Sequence, residues 1–236
     1  MNAASPVMVE PCPALEIEIA GVACRLDGSG ALFLVEERTL VVADLHFEKG
    51  SSLARRGSML PPYDTLATLA NLASAIARHA PLRVVALGDS FHDRRGPERL
   101  GDADRAALAE LARGRDWTWV VGNHDPVLPD SLGGAIVPET AIGPLTLRHH
   151  PQPDAGDELA GHLHPVAKVV LFGRGVRARA FLTNGRRCVL PAFGAYAGGL
   201  NACDRVFAPL FPTGFTAHVI GRNRIYSIDR KALCGD

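Results

Sequence analysis

Five short polar motifs constrain the fold of this chain most, because each of them directly follows an apolar run typical of a buried strand. In open α/β sheets ligands bind beyond the carboxyl ends of the strands, so five such ends can converge on one site. Glycine at positions 88, 122 and 161 precedes three of the motifs and allows tight turns and close backbone approach. The motif residues that could bind a metal ion or transfer a proton are Asp44, His46, Asp89, Asn123, His124, Asp125, His149, His162 and His164.

Strand and helix signals alternate in the first half of the chain, and strand signals dominate the second half. Apolar residues at helical spacing predict helices over Tyr63–Ala80 and about Asp102–Ala112, and the polar segment from Lys49 to Pro62 is predicted to be a loop. This order predicts two sheets packed between helices, in one domain over residues 1–236, because no linker or repeat divides the sequence. The predicted strands are Leu15–Ile19, Val22–Leu26, Ala31–Val35, Thr39–Asp44, Arg83–Leu87, Trp117–Val121, Leu145–His149, Glu158–Ala160, Lys168–Phe172, Ala178–Thr183, Arg187–Leu190, Thr216–Ile220 and Arg224–Ile228.

Composition excludes several classes of protein. The sequence contains no apolar stretch near the length of about 20 residues that spans a bilayer, so no membrane association is expected. Its start does not resemble a secretory signal, and its five scattered cysteines include no CxxC pair, so we expect a cytoplasmic protein without disulfides or a zinc knuckle. A formal net charge of zero argues against a protein that coats nucleic acid through bulk positive charge.

Charge is nevertheless unevenly distributed along the chain. No Asp or Glu occurs from Leu159 to Cys203, and this stretch contains six basic residues. They are either arginines and a lysine on the solvated face of a hairpin or a track for a polyanion beside the site. They are Lys168, Arg174, Arg177, Arg179, Arg186 and Arg187.

Taken together, the motifs resemble those of a known superfamily. A single short motif is weak evidence, whereas the order DLH, GDSFHD, GNHD, a strand-end His and GHLH is specific, and it resembles the calcineurin-like metallophosphoesterases. The segments DLHFEKG, LPPYDT and LPAFGAYAGGLN extend the resemblance to the bacterial ligase-associated DNA-damage-response phosphoesterases, a family described as endonucleases. The resemblance implies an α/β (α+β) fold, a four-layer αββα sandwich of two mixed sheets. It also implies a hydrolase that works with a DNA ligase or helicase in repair.

The resemblance also implies how the motif residues share two divalent metal ions, Mn or alternatively Fe, Zn or Ni. Nitrogen and oxygen donors without thiolate suit such ions. Two ions about 3.5–4 Å apart can clamp the attacking and leaving oxygens of a phosphoryl group and supply hydroxide near neutral pH. One ion would be bound by Asp44, His46 and His164, and the other by Asn123, His149 and His162, with Asp89 bridging both.

Several roles remain open at this stage. His149 is chosen over its neighbour His150 because its place in the subfamily motif is that of the ligand, and adjacent strand residues face opposite sides. His124 is expected to act as the general acid with Asp125 orienting its ring, although Asp125 could equally be a turn or cap carboxylate. His92 and Asp93 lie near these motifs, where loop packing or a surface position competes with a role in the site.

Three basic residues, Lys49, Arg174 and Arg177, are expected to bind substrate phosphates. For Arg55 and Arg56, in the loop after the first motif, solvated surface charge is the preferred interpretation. The predicted function is metal-dependent hydrolysis of phosphodiester bonds, with nucleic acid as the substrate. The alternatives are a small-molecule phosphomonoesterase or nucleotide phosphodiesterase, and a non-catalytic scaffold, which the complete ligand set disfavours.

Overall fold

Two β-sheets lie face to face in the computed structural model, which describes residues 12–57, 61, 63–171 and 173–236. The first sheet has the strand order β1-β2-β3-β4-β5-β6-β7, antiparallel up to β4 and parallel from β4 to β7. Its strands are β1 (Ala14–Ile19), β2 (Val22–Asp27), β3 (Leu32–Leu34), β4 (Thr39–Val42), β5 (Arg83–Leu87), β6 (Asp116–Val120) and β7 (Ala135–Val137).

The second sheet is also mixed. Its main path runs β14-β11-β12-β13-β10-β9-β8, and β15 pairs with both β12 and β16. Within it β10 is parallel to β9 and β13, whereas β11 and β12 form an antiparallel hairpin. Its strands are β8 (Glu139–Ile142), β9 (Leu145–Arg148), β10 (Glu158–Ala160), β11 (Pro165–Leu171), β12 (Arg174–Thr183), β13 (Arg187–Val189), β14 (Leu200–Asn201), β15 (Thr216–Ile220) and β16 (Ile225–Asp229).

Four helices and three short 3-10 turns connect the strands in the described residues. The longest, α2, confirms the helix predicted from apolar spacing; it buries Leu69, Leu72 and Ile76 on one face and ends where Ala80 adopts a left-handed conformation. None of these helices is long and apolar enough to cross a bilayer. The helices are α1 (Lys49–Ala54), α2 (Asp64–His79), α3 (Gly96–Arg99) and α4 (Asp102–Ala112), and the turns are Asp130–Leu132, Arg205–Phe207 and Arg230–Ala232.

Alternation along the central strands fills three apolar layers. In β5, Val85 faces the layer between the sheets, whereas Val84 faces the helices on the outer side. In β12, Phe181 faces the middle layer, while Leu182 packs on the other side beside Phe207. The predicted sandwich of two mixed sheets is therefore confirmed, and the layer over the second sheet contains the turns at Arg205–Phe207 and Arg230–Ala232.

Some elements differ from the sequence-based prediction. The segment that begins at Lys49 was predicted to be a loop, but its first six residues form α1. The strands β7, β8 and β14 were not predicted, because each is only two to four residues long and therefore shows little periodicity.

A buried carboxylate fastens the end of α2 to the end of β2. Asp27, 1% exposed, accepts hydrogen bonds from Arg78 at 2.8 and 3.0 Å, from His79 Nε2 at 2.8 Å and from the Ser29 N–H at 2.8 Å. Burial opposes ionisation of Asp27, but the bonds from His79 and Arg78 outweigh it and hold the pKa of Asp27 below its usual value. The contacts between Asp27 and the end of α2 thus depend on an ionised Asp27 carboxylate.

We expect Asp27→Ala to lower the free energy of unfolding by about 3–5 kcal/mol at neutral pH, because it leaves the largely buried Arg78 guanidinium without its carboxylate. A depressed folded-state pKa contributes stability that is present above the unfolded pKa of about 4 and is lost as the pH falls below it. Urea denaturation at pH 7 and pH 3 should therefore show a smaller difference between variant and wild type at pH 3.

The matched control is Glu16→Ala. Glu16 pairs with Arg25 at 2.8 Å, but the Glu16 side chain is 74% exposed, so the loss should be about 1 kcal/mol or less. Equal losses in the two variants would show that the buried carboxylate has no special role.

Candidate metal centre

Five strand ends meet at one edge of the sandwich. The strands β4, β5 and β6 are parallel neighbours, so the residues that follow them, Asp44, Asp89 and Asn123, emerge at the same edge of the first sheet. In the second sheet β9 and β10 are also parallel, and they are followed by His149 and His162. The convergence expected from the sequence is therefore observed.

The backbone at this edge is unusual. Five of the seven predicted metal ligands have left-handed backbone conformations, which non-glycine residues adopt at a cost of order 1–3 kcal/mol each. Such conformations persist only where the surrounding structure imposes them, and they cluster at functional sites. The five are Asp44 (φ 55°), His46 (φ 47°), Asp89 (φ 46°), His162 (φ 69°) and His164 (φ 46°).

Glycine before two of the motifs lets the strand ends come this close. A Cβ atom on Gly122 would lie 2.2 Å from both the backbone nitrogen and Oδ1 of Asp89. Gly88 has a φ of +73°, and a Cβ there would lie 2.4 Å from the His149 ring. A side chain at either position would push the predicted ligands apart.

The first group of converging side chains consists of Asp44, His46 and His164. One potential ligand atom from each residue lies no more than 4.8 Å from the others. The Nε2 atoms of His46 and His164 are 3.2 Å apart, and His164 Nε2 is 3.2 Å from Asp44 Oδ1. This is the trio that the resemblance implied for one ion.

The second group consists of Asp89, His149 and His162, with Asn123 beside it. His149 Nε2 lies 3.0 Å from Asn123 Oδ1, 3.2 Å from His162 Nδ1 and 3.4 Å from Asp89 Oδ2. The other nitrogen of the ring, Nδ1, donates to the Leu87 carbonyl at 2.9 Å and so aims Nε2 at the group. The two groups are joined where the His162 N–H donates to Asp44 Oδ2 at 2.9 Å.

Burial and mutual charge set the protonation of these imidazoles. Burial and the charge of His164 lower the pKa of His46 to about 2, and burial and the charge of His149 lower the pKa of His162 to about 4. Burial also disfavours charged His149, but its hydrogen bond and attraction to Asp89 and its attraction to Asp44 raise its pKa to about 9. His46 and His162 are thus neutral at pH 7, the form that binds metal.

The donors fit a pair of divalent ions. They are imidazole nitrogens, carboxylate oxygens and one amide oxygen, without a thiolate, which suits Mn, Fe or Zn rather than a structural zinc site of the cysteine type. His46 Nδ1 and His92 Nδ1 are buried without a hydrogen-bond partner. Within the two groups, ligand nitrogen and oxygen atoms face one another at 3.0–3.4 Å, an arrangement that a bound cation would stabilise.

His124 lies at the rim of the two groups. Its N–H donates to Asp89 Oδ1 at 2.9 Å, its Nδ1 donates to the His92 carbonyl at 2.7 Å, and its Nε2 is 3.9 Å from Asp89 Oδ2. The side chain is 39% exposed. Nε2 is therefore available to an incoming substrate.

The prediction that Asp125 orients the His124 ring is wrong, because the ring's partner is the His92 carbonyl. Asp125 is fully buried and accepts from the N–H groups of Gly122 at 2.9 Å, Phe91 at 3.0 Å and Asp89 at 3.1 Å. Burial raises the pKa of its carboxyl to about 6. Asp125 thus ties together the loops after β5 and β6, in agreement with the alternative of a turn carboxylate.

The two adjacent histidines after β9 have different environments. His149 is buried with Nε2 in the second group, whereas His150 is exposed and its ring lies 4.2 Å from the His162 ring. His149 is therefore the one whose ring nitrogen lies among the predicted ligands. His150 packs on the outer side of His162.

The structure distinguishes the roles of His92 and Asp93, which the sequence had left open. The His92 ring lies 5.6 Å from that of His46 and 5.4 Å from that of His124, so it belongs to the site. Its position three residues after Asp89 was the available signal. Asp93 is held by Arg99 at 2.8 and 2.9 Å, so its role is to support the loop and not to contact the two groups.

The three basic residues expected to bind substrate lie in different places. Lys49 is half-buried at the start of α1, close enough to His46 for its charge to lower the pKa of that histidine. Arg177 donates to the Gly199 carbonyl at 2.7 Å and lies 3.4 Å from Asp236. Arg174 begins β12 at the hairpin turn, about 20 Å along β11 from the end that follows His164.

The rest of the acid-free stretch is used mainly within the fold. Arg179 is held by the carbonyl groups of Ser29 and Ala192. Arg187 is buried and lies 3.3 Å from Glu158, and Arg186 pairs with Asp157 at 2.8 Å. These contacts argue against a continuous polyanion track, and the burial of Arg187 also differs from the expected solvated face of a hairpin.

Comparison with known proteins places this geometry in context. A family model for calcineurin-like phosphoesterases matches residues 37–178, which is more than half of the chain and includes all five motifs. No curated protein sequence matches the chain.

Solved structures are also similar. The crystal structure of the Pseudomonas putida nuclease MPE matches with 29% sequence identity and a TM-score of 0.72, over 91% of this chain and 100% of that chain. Yfce, a phosphoesterase from E. coli, and a predicted phosphoesterase from Streptococcus pneumoniae have identities of 16% and 15% and TM-scores of 0.39 and 0.33. Both of these alignments cover 81% of this chain, and they cover 98% and 97% of the respective relatives.

Proposed function

The chain belongs to the calcineurin-like phosphoesterase family, and we propose that it is a metal-dependent phosphodiesterase that cleaves nucleic acid. The observation that carries the proposal is the convergence of two nitrogen-and-oxygen ligand groups with His124 beside them. The similarity to the Pseudomonas putida nuclease MPE over 91% of the chain supports nucleic acid as the substrate. A DNA-repair setting with a ligase or helicase partner is part of the proposal and rests on the subfamily resemblance.

The side chains divide the work as follows. Asp44, His46 and His164 would hold one divalent ion, and His149, His162 and Asn123 would hold a second, with Asp89 between them. Bound there, the ions would neutralise phosphate charge and lower the pKa of a water molecule that serves as nucleophile. The chain itself fixes the geometry through Asp125, which keeps the Asp89 and His124 loops at a constant separation.

His124 would act on the leaving group. The water gives one proton to solvent, and its oxygen would form a bond to phosphorus while the phosphorus–oxygen bond to the sugar breaks; the departing oxygen would take a proton from His124 Nε2. The His92 carbonyl holds the ring by its Nδ1–H, which leaves Nε2, 3.9 Å from Asp89 Oδ2, to face the leaving oxygen. The partial exposure of the ring lets a phosphodiester reach it.

A second candidate function is hydrolysis of a small nucleotide diester or a phosphomonoester. It is favoured by the internal contacts of Arg177, Arg179 and Arg187, which remove most of the basic stretch as a surface for a long polyanion. The same ligand groups would serve either substrate.

Activity of the Mn²⁺-loaded protein should be screened side by side on bis-p-nitrophenyl phosphate, p-nitrophenyl phosphate and single-stranded DNA. We expect EDTA to abolish hydrolysis of the diester and added Mn²⁺ or Zn²⁺ to restore it, because the proposed reaction needs the ions to activate water and to neutralise phosphate charge. Cleavage of DNA in preference to the monoester supports the nuclease proposal, and preference for the monoester supports the second candidate. Activity that is indifferent to metal would contradict both.

A further inference from the structure

The helix α1 starts directly beside the candidate centre. It begins three positions after His46, and Phe47, between them, forms an isolated parallel bridge with Phe91. The His92 N–H donates to the Phe47 carbonyl at 3.0 Å. The first turn of α1 is thereby fixed next to His92, which in turn holds His124.

Side-chain contacts fasten α1 in this position. Arg99, in α3, donates from Nε to Ser51 Oγ at 2.9 Å and is itself held by both carboxylate oxygens of Asp93. The Glu48 carboxylate accepts from Ser51 Oγ at 2.6 Å and from Thr65 Oγ1 at 3.0 Å. Because α1 is anchored at both sides, its charges have a defined place relative to the centre.

Three carboxylates of this neighbourhood already have partners, whereas the buried Asp64, whose charge acts on Lys49, has one oxygen without a hydrogen-bond partner. Asp93 is engaged by Arg99, Glu98 pairs with Arg95 at 3.2 Å, and Glu48 is engaged by two hydroxyl groups. Within the described residues, Arg55 and Arg56 are exposed and form no ion pair. Because they are exposed and unpaired there, their guanidinium groups are available to bind an anionic ligand.

Arg55 and Arg56 are separated from the site only by the length of α1. This helix has six residues and is about 9 Å long, and its first residue, Lys49, lies three positions after His46. The β11–β12 hairpin has fewer basic groups available to bind phosphate near the centre. Arg177 contacts Gly199 and Asp236, and Arg174 lies at the distant turn of the hairpin.

We infer that Lys49, Arg55 and Arg56, here called the α1 basic edge, bind the backbone phosphates of a DNA strand that flank the phosphate being cleaved. The inference rests on the proposed function and identifies the side from which the strand enters. A flexible lysine supplies a point charge, and arginine can form paired hydrogen bonds with phosphate oxygens. The helix α1, and not the β11–β12 hairpin, then determines how the enzyme distinguishes a polymer from a small diester.

The test compares cleavage of a single-stranded oligonucleotide by the Mn²⁺-loaded wild type and by the double variant Arg55→Ala/Arg56→Ala. We expect KM for the oligonucleotide to rise about tenfold at low salt with little change in kcat. The slope of log(kcat/KM) against log[salt] should become shallower by about 1.4, because each contact to a single strand contributes about 0.7. Metal content and thermal unfolding establish that the variant is folded and loaded.

Two further variants make the result decisive. Arg222→Ala/Arg224→Ala removes the same charge from the exposed turn between β15 and β16, and it should change KM less than twofold. Arg174→Ala/Arg177→Ala tests the rival surface on the hairpin. If the hairpin variant raises KM more than the α1 variant does, or if all three variants act alike, the inference is wrong.

Failure of the proposed function gives a different result. A wild type that hydrolyses neither bis-p-nitrophenyl phosphate nor DNA contradicts the phosphodiesterase itself. A wild type that cleaves DNA with an unchanged KM and salt slope in Arg55→Ala/Arg56→Ala contradicts only the α1 basic edge.

Discussion

Asp89→Asn should reduce kcat/KM for a phosphodiester by about a thousandfold. The carboxylate lies 3.4 Å from His149 Nε2 through Oδ2 and accepts the His124 N–H through Oδ1, so it connects the predicted ligands to the predicted acid. Loss of its charge weakens the hold on divalent ions, whose stabilisation of a phosphoryl group amounts to several kcal/mol. About 4 kcal/mol corresponds to three orders of magnitude in rate.

Metal analysis of the purified variant is the second measurement. We expect the bound metal per chain to fall below that of the wild type. Asp116→Asn is the matched control, because Asp116 begins β6 at the opposite end of the strand from Asn123 and its side chain is 83% exposed. A variant at Asp89 that keeps both its metal and its activity would exclude this carboxylate as a shared ligand.

His124→Ala should lower kcat by about 10²–10⁴, the usual contribution of a general acid, while metal content stays the same. The size of the loss should depend on the leaving group. A sugar alkoxide needs a proton as it departs, whereas nitrophenolate is a much weaker base and leaves more easily without one. The loss should therefore be larger for DNA than for bis-p-nitrophenyl phosphate.

The measurement is kcat for both substrates, together with metal analysis. Loss of metal in His124→Ala would show that this histidine is a ligand and not an acid. An equal loss on the two substrates would assign it to stabilising the phosphoryl group instead of protonating the leaving oxygen.

The sequence predicted which side chains converge because ligand residue types and strand ends are both recognisable from short stretches of sequence. Apolar runs ending at Asp44, Asp89 and Asn123 predicted parallel strands with a common edge, and β4, β5 and β6 have that arrangement. Alternation along a strand likewise indicated that His149 and His150 face opposite sides, and the place of His149 in the subfamily motif decided between them. In both cases the information lies within a few residues of the side chain concerned.

The features that were missed depend on contacts distant in sequence. α1 contains Gly50, Ser51 and Ser52, which are weak helix formers, and Arg99 from another helix helps to fix it. Asp125 was assigned to the ring of its neighbour, although its partners include Asp89 and Phe91, more than thirty residues away. His92 acts through its carbonyl group, which every residue has, so its type gave no indication of the hydrogen bond to His124.

The left-handed conformations of Asp44, His46 and Asp89 have a consequence for how this centre can change over evolutionary time. Asp, Asn and His are the non-glycine residues that enter this backbone region most readily, so side-chain chemistry and backbone shape favour the same small set of residues. A drift from Asp to the longer Glu would misplace the oxygen and also meet a less tolerant backbone. Substitution by Gly would remove the backbone strain together with the ligand, which gives a more stable protein without its centre. Lineages that abandon catalysis should therefore accumulate glycine at these positions.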